Sequence, residues 1–395
     1  MLEIHKGGET WSVAGAAAAS MTVLRPPPAS GQSPRELVRA ALEAPYRFEP
    51  LRRALTPDDH IAIALDADLP HAAELLTGVL EHLESAGIAM EAVTVITPSG
   101  SRQGWIDELP EGFDAITAET HDPADRKKLA YLASTKAGRR VYLNRTLVQA
   151  DFTIVLSGRR FDPAYGYAGG ELALYPNLSD EEARAANAGP FTKQEPWDGR
   201  EESREVAWLL GTPFLVQIIE GEDDDIFEVV AGLMESSDEA QRRQDAAWKW
   251  SIPEKADAVI AMLGGDPDRL TFLDFAKAAA CAARAVKKGG RIALVTTAAP
   301  PLGEAAEWIR ALDEPKAPLA RLMKEKPADW AACKLWCSAA AHASLFLASN
   351  YPDDLVEEMF ATPLHSSAEL QRLIGSAGAV VVLHDAHKAK VQAPS

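Results

Sequence analysis

Three stretches of this 395-residue chain bring together side chains that could handle a small charged ligand. The first is the acidic pair Asp66 and Asp68, just after the apolar run His60–Leu65. The second is the turn Ser99-Gly100-Ser101-Arg102, which follows a second apolar run, Ala92–Thr97. The planar guanidinium of Arg102 suits a carboxylate or phosphate, because its fork can bind two oxygens at once. Pairing of Arg102 with Asp66 or Asp68, simply to hold loops together, is the competing reading. The third stretch is a polar crossing from Gly158 to Asn177, entered from the apolar run Phe152–Leu156. Gly166, Gly169 and Gly170 let its backbone take positive φ or come close to a ligand. Ordered loops of this length are usually functional, though a surface loop without a ligand has the same composition.

These stretches need a scaffold, and the hydrophobic pattern supplies one. Strands are expected at 60–66, 92–97, 113–119, 152–156 and 214–219, with helices at 34–42 and 71–86 between them. Segment 139–144 reads as an edge, and residues 1–31 as unpatterned linker around Pro26-Pro27-Pro28. A second alternating series follows, with strands at 258–262, 291–296, 344–348 and 379–383. Its helices fall at 271–286, 301–312, 327–341 and 367–374. Alternation of this kind predicts an α/β protein with mostly parallel sheets. Two domains are expected, residues 1–248 and 249–395, the N-terminal one larger, parted by a hinge in the Trp-rich crossover Trp248–Pro253. In a parallel sheet the loops after Asp66, Thr97 and Gly158 share one edge, where such folds bind ligands.

Bulk properties narrow the partners. A net charge of −18 provides no basic field for nucleic acid or an anionic membrane. No run of about 18 apolar residues is present for a membrane helix, and the alanines at 14–19 lack the basic flank of a signal peptide. The three cysteines, two of them Cys333 and Cys337, read as buried thiols of a reduced, cytoplasmic protein.

At RAALEAPYRFEPLRRALTPDDHIAIALDADLP (residues 39–70) the chain resembles the nickel-pincer lactate racemases. The block from His121 to Pro176, with its loop AGGELALYPN, and the helix and strand LDFAKAAACAARAVKKGGRIALVTTA (273–298) extend the likeness. The resemblance implies a two-domain isomerase fold holding a pyridinium cofactor whose thio-acid arms bind nickel. It also implies where the functional side chains should stand, and most are replaced. Leu172 occupies the position of the lysine that tethers the cofactor, and Ala188 that of the nickel histidine. Asp162 and Ser101 stand where two proton-transferring histidines belong, and Leu69 where a substrate arginine does. Asp66, Arg102 and Lys277 are kept, Asp274 replaces a glutamine, and Trp330 falls near the family's tryptophan. A leucine has no amine and an alanine no lone pair, so no metal and no covalent cofactor are expected.

Two readings of the remaining site follow. In one, the crevice between the domains binds a small anion such as a hydroxy acid or sugar acid. Arg102, Lys277 and the amides of Gly169 and Gly170 would hold it, with Tyr165, Tyr167 and Trp330 as walls. As a nickel-free isomerase or epimerase it would use Asp162 as base and His121 or Lys277 as acid. A structural His121-Asp122 pair and a Lys277 that reaches solvent are the plainer alternatives. In the other reading the protein is catalytically silent and closes over a ligand as a signal. A different metal held by Asp66, Asp68, Asp162 and His71 is the weakest possibility.

Overall fold

The strands at 61–65 and 214–220 are apolar on consecutive residues, the mark of strands covered on both faces, and both are buried along their whole length. They belong to a six-stranded sheet in a computed structural model that describes residues 2–6, 9–13, 20–67, 69–163, 166–187 and 199–393. The order across this first sheet is Ile226–Gly232, Phe214–Glu220, Phe152–Gly158, Ile61–Leu65, Val93–Thr97 and Thr117–Thr120. Only Ile226–Gly232 runs antiparallel. Strand order reverses beside Ile61–Leu65, which leads by way of the helix Ala72–Ser85 to one neighbour while Phe152–Gly158 lies on its other side. That is the switch point outside which an open α/β sheet binds ligands.

A second six-stranded sheet, parallel throughout, runs Ala361–Pro363, Ser344–Ala348, Val286–Val295, Ala256–Met262, Ala379–Leu383 and Ser20–Leu24. Its core is packed by the helices Phe272–Ala285 and Trp330–His342, which bury Phe275, Trp336, Cys281, Cys333 and Cys337. All three thiols are free, and burial raises their pKa. Among the described residues, no helix is long and apolar enough to cross a membrane.

Two expectations change. The segment read as linker contains Ser20–Leu24, an edge strand of the second sheet, so a boundary drawn only at 248 misassigns it. It pairs with Ala379–Leu383, more than 350 residues away along the chain, a contact that no local pattern announces. The crossover expected to hinge carries ordered contacts of its own. Lys249–Ser251 pairs in parallel with Lys390–Gln392, and the buried indole of Trp248 donates to the Glu220 carbonyl at 2.8 Å. Smaller departures follow the same logic. The strand at 113–119 begins only at Thr117, and Arg140–Asn144 forms a hairpin with Leu129–Ser134.

Trp11, on the hairpin of Leu2–Lys6 and Glu9–Val13, is buried against the second sheet beside Leu370 and Ile374. Trp11→Ala should therefore cost roughly 3–5 kcal/mol, the usual penalty for emptying a tryptophan site. Urea unfolding reads this directly, and an unchanged midpoint would show that the hairpin contributes nothing to the core.

Candidate functional site

The crossing that leaves Phe152–Gly158 divides at two consecutive arginines. In extended chain, neighbouring side chains point to opposite sides, and Arg159 and Arg160 go to different places. Arg159 is fully buried behind the loop, where Nη1 donates to the Gly169 carbonyl at 2.9 Å and Nη2 to Ser237 Oγ at 3.2 Å. Its countercharge is Glu171, completely buried, at 3.8 Å. The same carboxylate accepts from Arg200 Nε at 2.7 Å, Arg204 Nε at 3.3 Å and Ser237 Oγ at 2.5 Å. Burial opposes the charge of Glu171, but the surrounding arginines outweigh it and hold the carboxyl below its usual range. Burial also pulls Arg159 down to about 10, with Glu171 resisting.

This buried network sets the path of the glycine loop. Gly169 lies at φ +78°, and a Cβ there would meet the Gly158 carbonyl oxygen at 2.1 Å, so only glycine fits. The Gly170 N–H donates to Ser157 Oγ at 2.8 Å. That amide, expected to hold an anion, is spent inside the protein.

On the front of the crossing Arg160 faces a cavity of about 630 Å³. Tyr167, Gly169 and Leu172 of the loop line it, with Asp66, Arg184 and, from the second domain, Lys277. Lys277 Nζ lies 3.1 Å from Asp162 Oδ2, and both side chains are buried. Asp66 accepts from the Gly158 amide at 3.2 Å and stands 3.6 Å from Arg160. Arg184, on the helix Glu181–Asn187, donates to Ser99 Oγ at 3.3 Å and makes no ion pair with the described residues. Arg160 is 3.8 Å from Glu220, which also pairs with Lys388 at 3.0 Å. Burial alone would raise Glu220; Lys388 and Arg160 reverse this and hold it at about 2.

The structure thus brings Asp66, Tyr167, Gly169 and Lys277 to one cavity, with Asp162 reaching it only through its pair with Lys277, and separates the rest. His121 was expected near the chemistry, but it is wholly buried beneath the loop, with Nε2 at 2.9 Å from the Ser179 carbonyl. Its partner is that carbonyl and not Asp122, which caps its own turn by accepting from the Ala124 amide. Arg102 lies in a neighbouring cavity of about 320 Å³, beside Leu69 and His71, and its guanidinium donates to the Asp268 carbonyl of the second domain. Ser101 stays in its turn, its amide bonded to the Pro98 carbonyl at 3.2 Å. Trp330 is buried in the second core, and nearby Ala328 reaches the cavity instead. The Tyr167 hydroxyl donates to Asp245, so only its ring is offered as wall. Tyr165, Asp68 and Ala188 lie outside the described residues.

Sequence reasoning overlooked Arg159, Arg160, Glu171 and Arg184. A pair of arginines immediately after a buried strand was the available signal for the first two. Arg184 carries no such mark, because it looks like any polar residue of an exposed helix.

Two α/β units with a charged cleft at the switch point of the first sheet make up the fold. Residues 7–196 match the family described as the lactate racemase N-terminal domain, and in this part the chain is lactate racemase-like. The fold is similar to that of the lactate racemase apoprotein from Thermoanaerobacterium thermosaccharolyticum, with a TM-score of 0.82 at 16% identity over 99% of both chains. A structural-genomics protein from Thermotoga maritima is similar at a TM-score of 0.67 and 11% identity, over 91% of this chain and 98% of that one. No curated protein matches the chain.

The buried carboxylates make acid stability a test of this geometry. Glu220 and Glu171 have folded-state pKa values below their unfolded ones. Their contribution is therefore complete above about pH 4.5 and is lost as pH falls toward the folded values. Unfolding free energy should drop steeply between about pH 4.5 and 2. Glu171→Ala, which strands Arg159, should cost roughly 3–5 kcal/mol at neutral pH. A flat acid profile together with a silent Glu171 substitution would contradict the network.

Proposed function

We propose that this protein binds a small hydroxy-carboxylate in the cleft between its domains and works without a nickel-pincer group. Arg184 carries the proposal: it is a cavity-lining guanidinium whose side-chain partner among the described residues is the Ser99 hydroxyl, in a protein whose overall charge is strongly negative. A carboxylate would complete its fork and also approach Lys277, whose ammonium would then be shared with Asp162. The pincer group does not fit the residues present. The wall at the tether position is the alkyl side chain of Leu172, and no histidine or cysteine is among the residues lining the 630 Å³ cavity. No group of three metal-ligating side chains occurs among the described residues.

For chemistry without a metal, this chain offers the buried Asp162–Lys277 couple. Drawing Lys277 toward the ligand frees Asp162 to accept a proton from the carbon beside the carboxylate, and the ammonium can return one to the planar carbanion once it has turned its other face. This would make the protein an isomerase of the racemase or epimerase class. A second reading is favoured by the 3.1 Å separation of that same pair: a carboxylate already ion-paired is a weak base, and a silent binding protein needs no more than the ion pair. Exchange of the α-proton for deuterium, followed by NMR on any acid that binds, separates the two.

Calorimetric titration with hydroxy acids should detect binding, and Arg184→Ala should weaken it about 5- to 150-fold, or roughly 1–3 kcal/mol for a charge-assisted contact. Binding untouched by that substitution, or absent across a panel of hydroxy acids, would remove the proposal. Expressed together with nickel-pincer synthesis enzymes, the chain should keep the intact mass of its sequence. A cofactor adduct with stoichiometric nickel would show that another residue serves as tether.

A further inference from the structure

Behind Arg160 and Lys277 the main cavity adjoins a smaller one of about 210 Å³, and these two side chains line both. The smaller space lies between the domains. Its walls come from Glu220, from the turn around Asp266 and the helix start at Thr271, and from His387 and Lys388 near the chain end. Nothing in the anion-binding reading uses it. Its character also differs from that of the main cavity. Four cationic side chains face four carboxylates across it, so it has donors and acceptors in abundance but no surplus charge. Such a space discriminates against an apolar tail, which would leave buried polar groups without partners, and it offers no net attraction for a second anionic group. It suits neutral groups that both donate and accept.

Two of its side chains hold polar atoms without a hydrogen bond among the described residues. Glu220 is 5% exposed, and its Oε2 is engaged by Lys388, yet Oε1 is buried with no hydrogen-bond partner among the described residues, its cation Arg160 standing 3.8 Å away. His387 Nδ1 is in the same condition. Burial keeps the His387 imidazole neutral, so its ring carries one donor and one acceptor. Buried polar atoms are seldom left unmatched in native proteins, and each one that is calls for an explanation. At about 30 Å³ for each water-sized group, the space accommodates several hydroxylated carbons.

We infer that this annex is a second subsite, one that receives the hydroxyl-bearing tail of a polyhydroxy acid whose carboxylate is held at Arg184 and Lys277. Glu220 accepts from one hydroxyl and His387 exchanges a hydrogen bond with another. The ligand class is then a sugar acid, longer than a three-carbon hydroxy acid. This inference rests on the anion-binding reading above and narrows it.

The test uses the full-length protein with two probes, lactate and gluconate, which share a hydroxy-carboxylate end and differ in the polyhydroxylated tail. Gluconate should bind at least tenfold more tightly, with four-carbon threonate between the two. His387→Phe removes the hydrogen-bonding ring, and Leu273→Trp fills the annex from its wall without altering charge. Both should bring the gluconate-to-lactate ratio close to one. Arg184→Ala should weaken both acids and preserve their ratio. Equal binding of the three acids by the unmodified protein overturns the annex whether or not the variants fold, as does a ratio that survives both substitutions. The anion-binding reading would still stand in either case, provided that Arg184→Ala weakens every acid. If no acid binds at all, both readings fall.

Discussion

Alternation along an extended chain is the constraint on which this site depends. Because Arg159 and Arg160 are adjacent, one must point behind the glycine loop if the other points into the cleft. A guanidinium buried as completely as that of Arg159 is tolerable only beside a carboxylate. Glu171 supplies it, and because Glu171 follows Gly170 directly, the loop has to fold back over its own strand. The tight approach of Gly169 to the Gly158 carbonyl follows from that closure. The front of the crossing is then fixed as well: Arg160 is left facing Asp66 and Glu220 at the mouth of the cleft.

The cleft belongs to neither domain alone. Asp66, Arg160 and Arg184 come from loops and a short helix on the first sheet, whereas Lys277 comes from a helix of the second. Polar contacts join the halves beside apolar packing, in which Ile219, Val230 and Trp248 share the second core. Asp385 accepts from the amides of Asp223 and Gly264, Asp224 accepts from Asp266 and Arg269, and Lys388 pairs with Glu220. Hydrogen bonds of this kind are directional, so they fix how the domains meet more sharply than apolar packing would. They also bring charge into the interior, where every group must be matched. That requirement explains why cations and carboxylates are balanced behind the cleft, and why Glu220 stays ionised there.

The lactate racemase-like fold is present although Asp162 and Leu172 stand where the family resemblance implies a histidine and a lysine. The strand ends, the glycine loop and the helix carrying Lys277 keep their places, because burial and backbone geometry hold them. The positions at 162 and 172 are free of that duty. A leucine at 172 packs against the cavity wall, and an aspartate at 162 finds a countercharge in Lys277. Both side chains are thus accommodated locally within the scaffold.

The sequence by itself determined the alternating α/β architecture, most of the strands and helices, and the loop at the switch point. Those features are written in local periodicity and in glycines, which act over a few residues. Asp66, Tyr167, Gly169 and Lys277 could be chosen for the same reason: each sits at the end of a patterned element or in a motif. Only the tertiary structure decided that His121 is a buried support, that Arg102 ties the domains together, and that Arg184 lines the main cavity. It alone joined Ser20–Leu24 to the second sheet and the crossover at Lys249–Ser251 to the chain end. These outcomes turn on partners tens to hundreds of residues away. Whether a charged side chain faces solvent, a countercharge or a cavity is set by what the fold places opposite it, and its own neighbours along the chain carry no record of that.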